Sequence, residues 1–134
     1  MFKTSMGKFV NPEVIEEKFK ESPFILDMMV VGEGQKFAAA IIAPDFDMVK
    51  DWCKRHNVAA QNREEIVADK TVLARFQRVM DKYNAQLGNT EQVKRFKLVT
   101  DTWSESNKML TPTLKIRRKN ITATYSKEIE ELFK

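Results

Sequence analysis

Phe24-Ile25-Leu26-Asp27-Met28-Met29-Val30-Val31, then Gly32-Glu33-Gly34-Gln35, then Phe37-Ala38-Ala39-Ala40-Ile41-Ile42-Ala43: two apolar, β-prone runs stand on either side of a four-residue turn. The pattern predicts a hairpin. Neither run alternates strictly with polar residues, as a strand half open to water does. Helices are therefore expected to cover at least one face of the sheet.

Reading outward, Asn11 is a good N-cap and Pro12 a good first helical residue, with Glu13, Glu16 and Glu17 in the first turns. That helix should run to about Lys20, with Ile15 and Phe19 facing the core. Before it, residues 2–5 read as a short extended piece and Met6-Gly7-Lys8 as a turn. Beyond the hairpin, Pro44-Asp45 stops the strand and caps a helix carrying Phe46, Val49, Trp52 and Cys53, which Asn57 should end. A short helix is expected from about Arg63 to Ala68. Residues 71–87 hold the strongest helical stripe, Val72, Leu73, Phe76, Val79, Met80, Tyr83 and Leu87, with Gly88 as its stop. Arg95 to Thr102 reads as a third strand and Trp103 to Met109 as a polar loop. A final helix from near Arg118 places Ile121, Tyr125, Ile129 and Leu132/Phe133 on one stripe. The expected fold is α+β: a small mixed three-stranded sheet with a short N-terminal extended segment, packed with about five helices.

Composition narrows the class. The chain has 134 residues, 43% of them hydrophobic, with only 4 Gly and 4 Pro, which fits one ordered domain with a modest core. No apolar run approaches the length of a membrane span, and nothing reads as a secretory leader. The lone Cys53 excludes an internal disulfide. The formal net charge is +4, yet Val93–Lys119 alone carries 8 Lys/Arg against 2 Asp/Glu, leaving the rest of the chain at −2. That is a footprint for an anion, and it also fits a solvated basic face.

Within this basic region lies Leu110-Thr111-Pro112-Thr113-Leu114-Lys115-Ile116-Arg117-Arg118-Lys119. It sets one lysine on a Pro/Thr turn just ahead of an amphipathic helix. A flexible ammonium delivered there suits chemistry in which negative charge grows on phosphate oxygens. The other remaining groups carry less. His56 sits near a helix end, where a charged imidazole suits the dipole. Cys53 beside Trp52 reads as core packing, and neither has partners at metal-ligand spacing. Lys3, Lys8 and Lys36 read as surface lysines, and Met28-Met29-Val30-Val31 as strand core.

Thr111-Pro112-Thr113-Leu114-Lys115, together with Lys3-Thr4-Ser5-Met6-Gly7-Lys8-Phe9-Val10-Asn11-Pro12-Glu13-Val14-Ile15-Glu16 at the opposite end, resembles the C-terminal domain of the acyl-adenylate-forming ligases. The likeness is nearest to long-chain fatty acid–CoA ligases. Glu21-Ser22-Pro23-Phe24-Ile25, Val30-Val31-Gly32-Glu33-Gly34 and a helical insert at about 45–91 look like that branch too. The resemblance implies that residues 1–134 are a single C-terminal lid, with the large N-terminal ATP- and acyl-binding domain and the hinge absent. It implies that Lys115 is the catalytic lysine of adenylation. It also implies that the Gly7 loop, with Met6 and Ser5, lines a CoA tunnel. Many branches have Gly immediately before the lysine, where this chain has Leu114, and a second Gly where it has Met6. Arg117, Arg118 and Lys119 receive no role. ATP (with Mg²⁺) and CoA would be bound mainly by the missing domain, and the lid alone would be inactive. The implied partners are that domain and a long-chain fatty acid, with no nucleic acid and no transmembrane segment. The implied setting is cytoplasmic, with peripheral membrane contact left open. A stand-alone basic module that binds an anion or nucleic acid is the rival reading, with Phe96 and Trp103 offered to stack on bases.

Overall fold

The computed structural model describes residues 1–89 and 91–134. Among them the elements run β1 (Phe2–Lys3), β2 (Phe9–Val10), α1 (Pro12–Phe19), β3 (Ile25–Val31), β4 (Ala38–Pro44), α2 (Phe46–Arg55), α3 (Arg63–Ala68), α4 (Lys70–Asn84), β5 (Val93–Leu98), α5 (Arg118–Thr124) and α6 (Ser126–Leu132). β3 and β4 form the expected hairpin, antiparallel with Val31 opposite Ala39 and Met28 opposite Ile42. β5 joins the other side of β4 in parallel, giving the order β3-β4-β5. A parallel pair cannot be closed by a tight turn, so a crossover is required. Here the crossover carries α2, α3 and α4.

β4 is the middle strand, and all seven of its residues are buried. Successive side chains of a strand point to opposite faces. Ala38, Ala40 and Ile42 accordingly join Met28 and Val30 in a core with Ile15 and Phe19 of α1 and with Val49, Ile66, Phe76 and Met80 of the crossover. Ala39, Ile41 and Ala43 join Met29 in a second core with Trp103, Ile121, Tyr125 and Leu132. Both faces are thus covered, which accounts for the lack of alternation in the sequence. Each fully buried Ile contributes about 1.5–3 kcal/mol relative to an exposed one.

The helix starts follow cap chemistry. Asp45 accepts from Met48 N at 3.2 Å, Asn62 from Glu65 N at 2.9 Å, and Asp69 from Thr71 N and Val72 N at 2.8 and 3.0 Å. The starts of α5 and α6 carry no side-chain cap, and Asn11 supplies none to α1. Its backbone is extended, as a cap requires, but its side chain makes no capping bond. Pro12, which has no N–H to satisfy, starts the helix there.

Four boundaries differ from the sequence reading. The Met6-Gly7-Lys8 turn is followed by a second strand, β2, and the two-residue β1 and β2 are too short to show a period. α4 ends at Asn84, four residues before Gly88, because the Asn84 side chain bonds both Val93 N and Val93 O at 2.9 Å and turns the chain into β5. β5 begins at Val93, opposite Ala38, and ends at Leu98. Thr100 is outside the strand, and its carbonyl accepts from Arg63 at 2.8 Å. The last helix is two helices, giving six where about five were expected. Tyr125, at φ −111° and ψ 28°, breaks the run. Its hydroxyl donates to Asp101 Oδ2 at 2.7 Å and accepts from Trp103 Nε1 at 3.2 Å, fixing the ring in the second core.

Candidate functional site

The Lys115 segment is a small closed loop. Leu110 and Ile116 bridge in antiparallel fashion at its base, and Arg117 N donates to Met109 O at 2.8 Å. Within it, Thr111 N donates to Lys115 O and Leu114 N to Thr111 O, both at 2.8 Å, while Thr111 Oγ1 accepts from Lys115 N at 3.1 Å. Leu110 and Met109 are buried and hold the base to the second core. Lys115 is exposed at the end of the turn, and its ammonium makes no ion pair or hydrogen bond among the described residues. The residue before it, Leu114, is at φ +65° with its side chain 65% exposed. Left-handed backbone favours glycine, and Leu114 adopts it with a full side chain.

Under this loop lies a cavity of about 250 Å³, lined by Leu114, Lys115 and Ile116 on one side and by Glu13, Glu16, Glu17 and Lys20 on the other. Lys115 therefore stands beside the acidic face of α1. Glu16 is buried in that wall. Arg118, the first residue of α5, donates to Glu16 Oε2 at 2.8 Å and to Oε1 at 2.5 Å. Val30 N donates to Glu16 Oε2 at 2.7 Å. β3 is an edge strand of its sheet, so this N–H has no strand partner on that side and Glu16 supplies one. Burial pushes the Glu16 carboxyl above the ordinary glutamate value, and the Arg118 guanidinium and the Val30 N–H pull it back.

The Gly7 loop is the β1–β2 turn at the start of α1. Gly7 is at φ +79°, and a Cβ there would meet only Lys3 Cε at 3.9 Å. Its glycine requirement is conformational and leaves open space beside the backbone. Ser5 N donates to Gln35 O and Gly34 N to Lys3 O, both at 2.9 Å, so the loop is tied to the β3–β4 turn. Ser5 and Met6 are exposed, Met6 by 70%. Phe9 is 65% exposed, with the Lys3 ammonium 5.6 Å from its ring centroid. Gly7 and Lys115 thus flank one helix, α1, from its N-terminal end and from its side.

The basic stretch 93–119 does not act as one patch. Arg95 donates to the Leu132 and Lys134 carbonyls at 3.1 and 2.6 Å, Lys97 pairs with Glu131, and Arg118 is held by Glu16. These charges fasten α5 and α6 to the body. The proposed base-stacking residues are also occupied. Trp103 is 2% exposed and bonded to Tyr125. Phe96 packs against the first core, 6.5 Å from the Phe76 ring. The nucleic-acid module is therefore not supported. His56 caps the end of α2, its Nδ1 2.9 Å from Trp52 O and its ring stacked on Trp52. Cys53 is buried, and burial raises its thiol pKa. Among the described residues no cluster of three metal-type side chains occurs, and no helix is long and apolar enough to cross a membrane.

Sequence reading missed Glu16 and Arg118 as a pair. A signal existed for the first: Glu16 lies on the buried stripe Pro12, Ile15, Phe19, where a carboxylate needs a partner. That the partner lies 102 positions away was not legible.

The chain is 31% identical to the long-chain-fatty-acid–CoA ligase 6 of Rattus norvegicus, covering 99% of this chain and 19% of that one. It is 26% identical to the long-chain-fatty-acid–CoA ligase FadD15 of Mycobacterium tuberculosis, covering 97% and 22%. It thus spans roughly a fifth of the length of these curated relatives. Among solved structures, the A-PCP didomain of carboxylic acid reductase from Segniliparus rugosus, in complex with AMP, superposes with a TM-score of 0.76 at 20% identity. That match covers 97% of this chain and 17% of the other, and it speaks to the fold alone. Residues 2–134 match the family described as AMP-binding enzyme C-terminal domain, and the chain belongs to that family.

Proposed function

We propose that this chain is the mobile C-terminal lid of an ATP-dependent long-chain fatty acid–CoA ligase. The observation that carries the reading is Lys115: an exposed, unpaired ammonium, among the described residues, at the tip of a closed loop, in a chain of this family. Residues 1–134 form one lid with the helical insert at about 45–91. A large N-terminal domain is its partner and holds most of the ATP, CoA and fatty-acid contacts.

In the first half-reaction a fatty-acid carboxylate oxygen attacks the α-phosphorus of ATP, and the bond to the β-phosphate oxygen breaks. Acyl-AMP forms and pyrophosphate leaves. Negative charge is shared between the incoming carboxylate and the α-phosphate oxygens, and Lys115 stabilises it. An ammonium preorganised in a water-excluded cleft contributes far more than one in water. In the second half-reaction the CoA sulfur attacks the acyl carbon and AMP departs. The Gly7 loop, with Ser5 and Met6, lies along the pantetheine arm there. Gly7 presents backbone without a Cβ, in open space. A rotation of the lid as a rigid body brings first one loop and then the other to the active site. Mg²⁺ travels with ATP, and no carboxylate of this lid is assigned to it. The lid alone is inactive. The parent works in the cytoplasm, and peripheral contact with membrane lipid is compatible with that setting.

The test is Lys115→Ala in the ligase that carries this domain, with the half-reactions measured separately. Acyl-AMP formation should fall by about 100-fold or more. Thioester formation from supplied acyl-AMP should stay close to native. Equal loss of both would overturn the division of labour.

A further inference from the structure

Arg118 is the joint between the Lys115 loop and the rest of the domain. It follows Lys115 by three residues. Both of its terminal nitrogens engage the two oxygens of Glu16, and that carboxylate also accepts the Val30 N–H. One carboxylate therefore pins three elements: the start of α5, the middle of α1 and the edge of β3. Arg118 also lines both neighbouring cavities, the one beneath Lys115 and a groove of about 810 Å³ toward Phe2, Val31 and Phe133. The base of the Lys115 loop is held by backbone bonds to Met109 and Leu110, which fix its shape. Among the described residues, the Arg118–Glu16 contact is the one ion pair that fixes where that shape sits relative to α1. The Gly7 loop is held elsewhere, by Ser5–Gln35 and Gly34–Lys3 backbone bonds. Loss of Arg118 thus loosens the Lys115 loop against α1 and leaves the Gly7 loop in place.

We infer that Arg118 is a positioning residue for adenylation, acting through Glu16 to hold the Lys115 ammonium at a fixed place on the lid. This rests on the reading of Lys115 given above. A planar guanidinium matches a carboxylate at two points and so fixes orientation as well as distance, which a lysine does not. A displacement of about 1 Å is enough to cost about 100-fold in a positioned reaction.

The experiment uses the ligase that carries this domain and compares Arg118→Lys, Arg118→Met and the double variant Glu16→Gln/Arg118→Met. In Glu16→Gln the amide oxygen still serves Val30 N, and the double variant leaves no buried charge unpaired. Arg118→Lys and Arg118→Met should slow acyl-AMP formation by about 10–100-fold. KM for ATP and the rate of thioester formation from supplied acyl-AMP should move less than about threefold. The double variant should recover the thermal stability lost in Arg118→Met and still adenylate slowly.

Adenylation restored along with stability would overturn the proposal, leaving the pair a purely structural brace. So would equal slowing of both half-reactions, or native adenylation in folded Arg118→Met. Lys115→Ala in the same assay separates the two ideas. If it leaves adenylation intact, the Lys115 reading fails and the positioning role fails with it. If it abolishes adenylation while the Arg118 variants remain native, only the positioning role fails.

Discussion

The two loops that flank α1 solve the same problem by different means. Each presents a short segment rigidly and each uses a residue in left-handed backbone, Gly7 at φ +79° and Leu114 at φ +65°. At Gly7 the conformation is almost free, because there is no Cβ to collide with the following carbonyl. At Leu114 it costs about 1–2 kcal/mol, and the loop keeps it through the Thr111 bonds that close the turn. The anchorage differs as well. The Gly7 loop is tied by backbone bonds to a neighbouring turn, whereas the Lys115 loop, rooted in the second core by Met109 and Leu110, is set against α1 by a partly buried ion pair. A loop held by backbone bonds tolerates side-chain changes. A loop held by a charge pair depends on both partners and on pH.

The largest expected effect separates these anchors. Arg118→Met strands the Glu16 carboxylate in its buried site. Complete burial of the pair would put the cost at about 3–5 kcal/mol, and partial exposure of Arg118 brings the expectation down to about 2–3 kcal/mol in denaturant unfolding. The pH dependence has a defined sign. Without Arg118 only the Val30 N–H still favours the ionised form, so the folded-state pKa of Glu16 moves further above the ordinary glutamate value. Stability of the variant should then fall as pH rises from the ordinary glutamate range through that raised value, and acidification from neutral should recover part of the loss. A variant whose unfolding is insensitive to pH between about 5 and 7 would mean that Glu16 is rescued by another partner.

A smaller effect belongs to the other loop. Gly7→Ala should lower stability by about 1–2 kcal/mol through conformation alone, since no atom closer than 3.9 Å opposes the new methyl group. In the parent ligase it should slow thioester formation more than adenylation, the reverse of Lys115→Ala. Equal slowing of the two would erase the contrast between the loops. The smallest effect sharpens it. Leu114→Gly should change stability by under about 1 kcal/mol, because relief of the left-handed strain is offset by the greater freedom of an unfolded glycine. Leu114→Val, β-branched at the same φ, should be clearly less stable than either. The three proteins need only parallel thermal melts.

Much of this molecule was legible before folding. The largely apolar runs at 24–31 and 37–43 required a covered hairpin, and Asp45 marked a helix start by a local bond that the sequence spacing alone sets up; the caps at Asn62 and Asp69 are of the same local kind but came only with the structure. Gly7 and Lys115 were visible as residue types suited to a turn and to a mobile cation. Element ends were less legible. α4 stops at Asn84 because an amide four residues before the expected glycine bonds across to Val93, and the last helix breaks because the Tyr125 hydroxyl is held by Asp101 and Trp103. Those choices depend on partners brought together only by the fold.

Sequence alone, then, determined the local conformations, the pairing of the hairpin and the chemical types at the two loops, because caps, turns and periodicity act over a few residues. Tertiary structure decided which charges are free. Eight cations lie between residues 93 and 119, yet Arg95, Lys97 and Arg118 are spent on the C-terminal segment and on Glu16, while Lys115 stays exposed. A charge is available to a ligand only if nothing in the folded chain already pairs with it, and that depends on contacts between residues far apart in sequence.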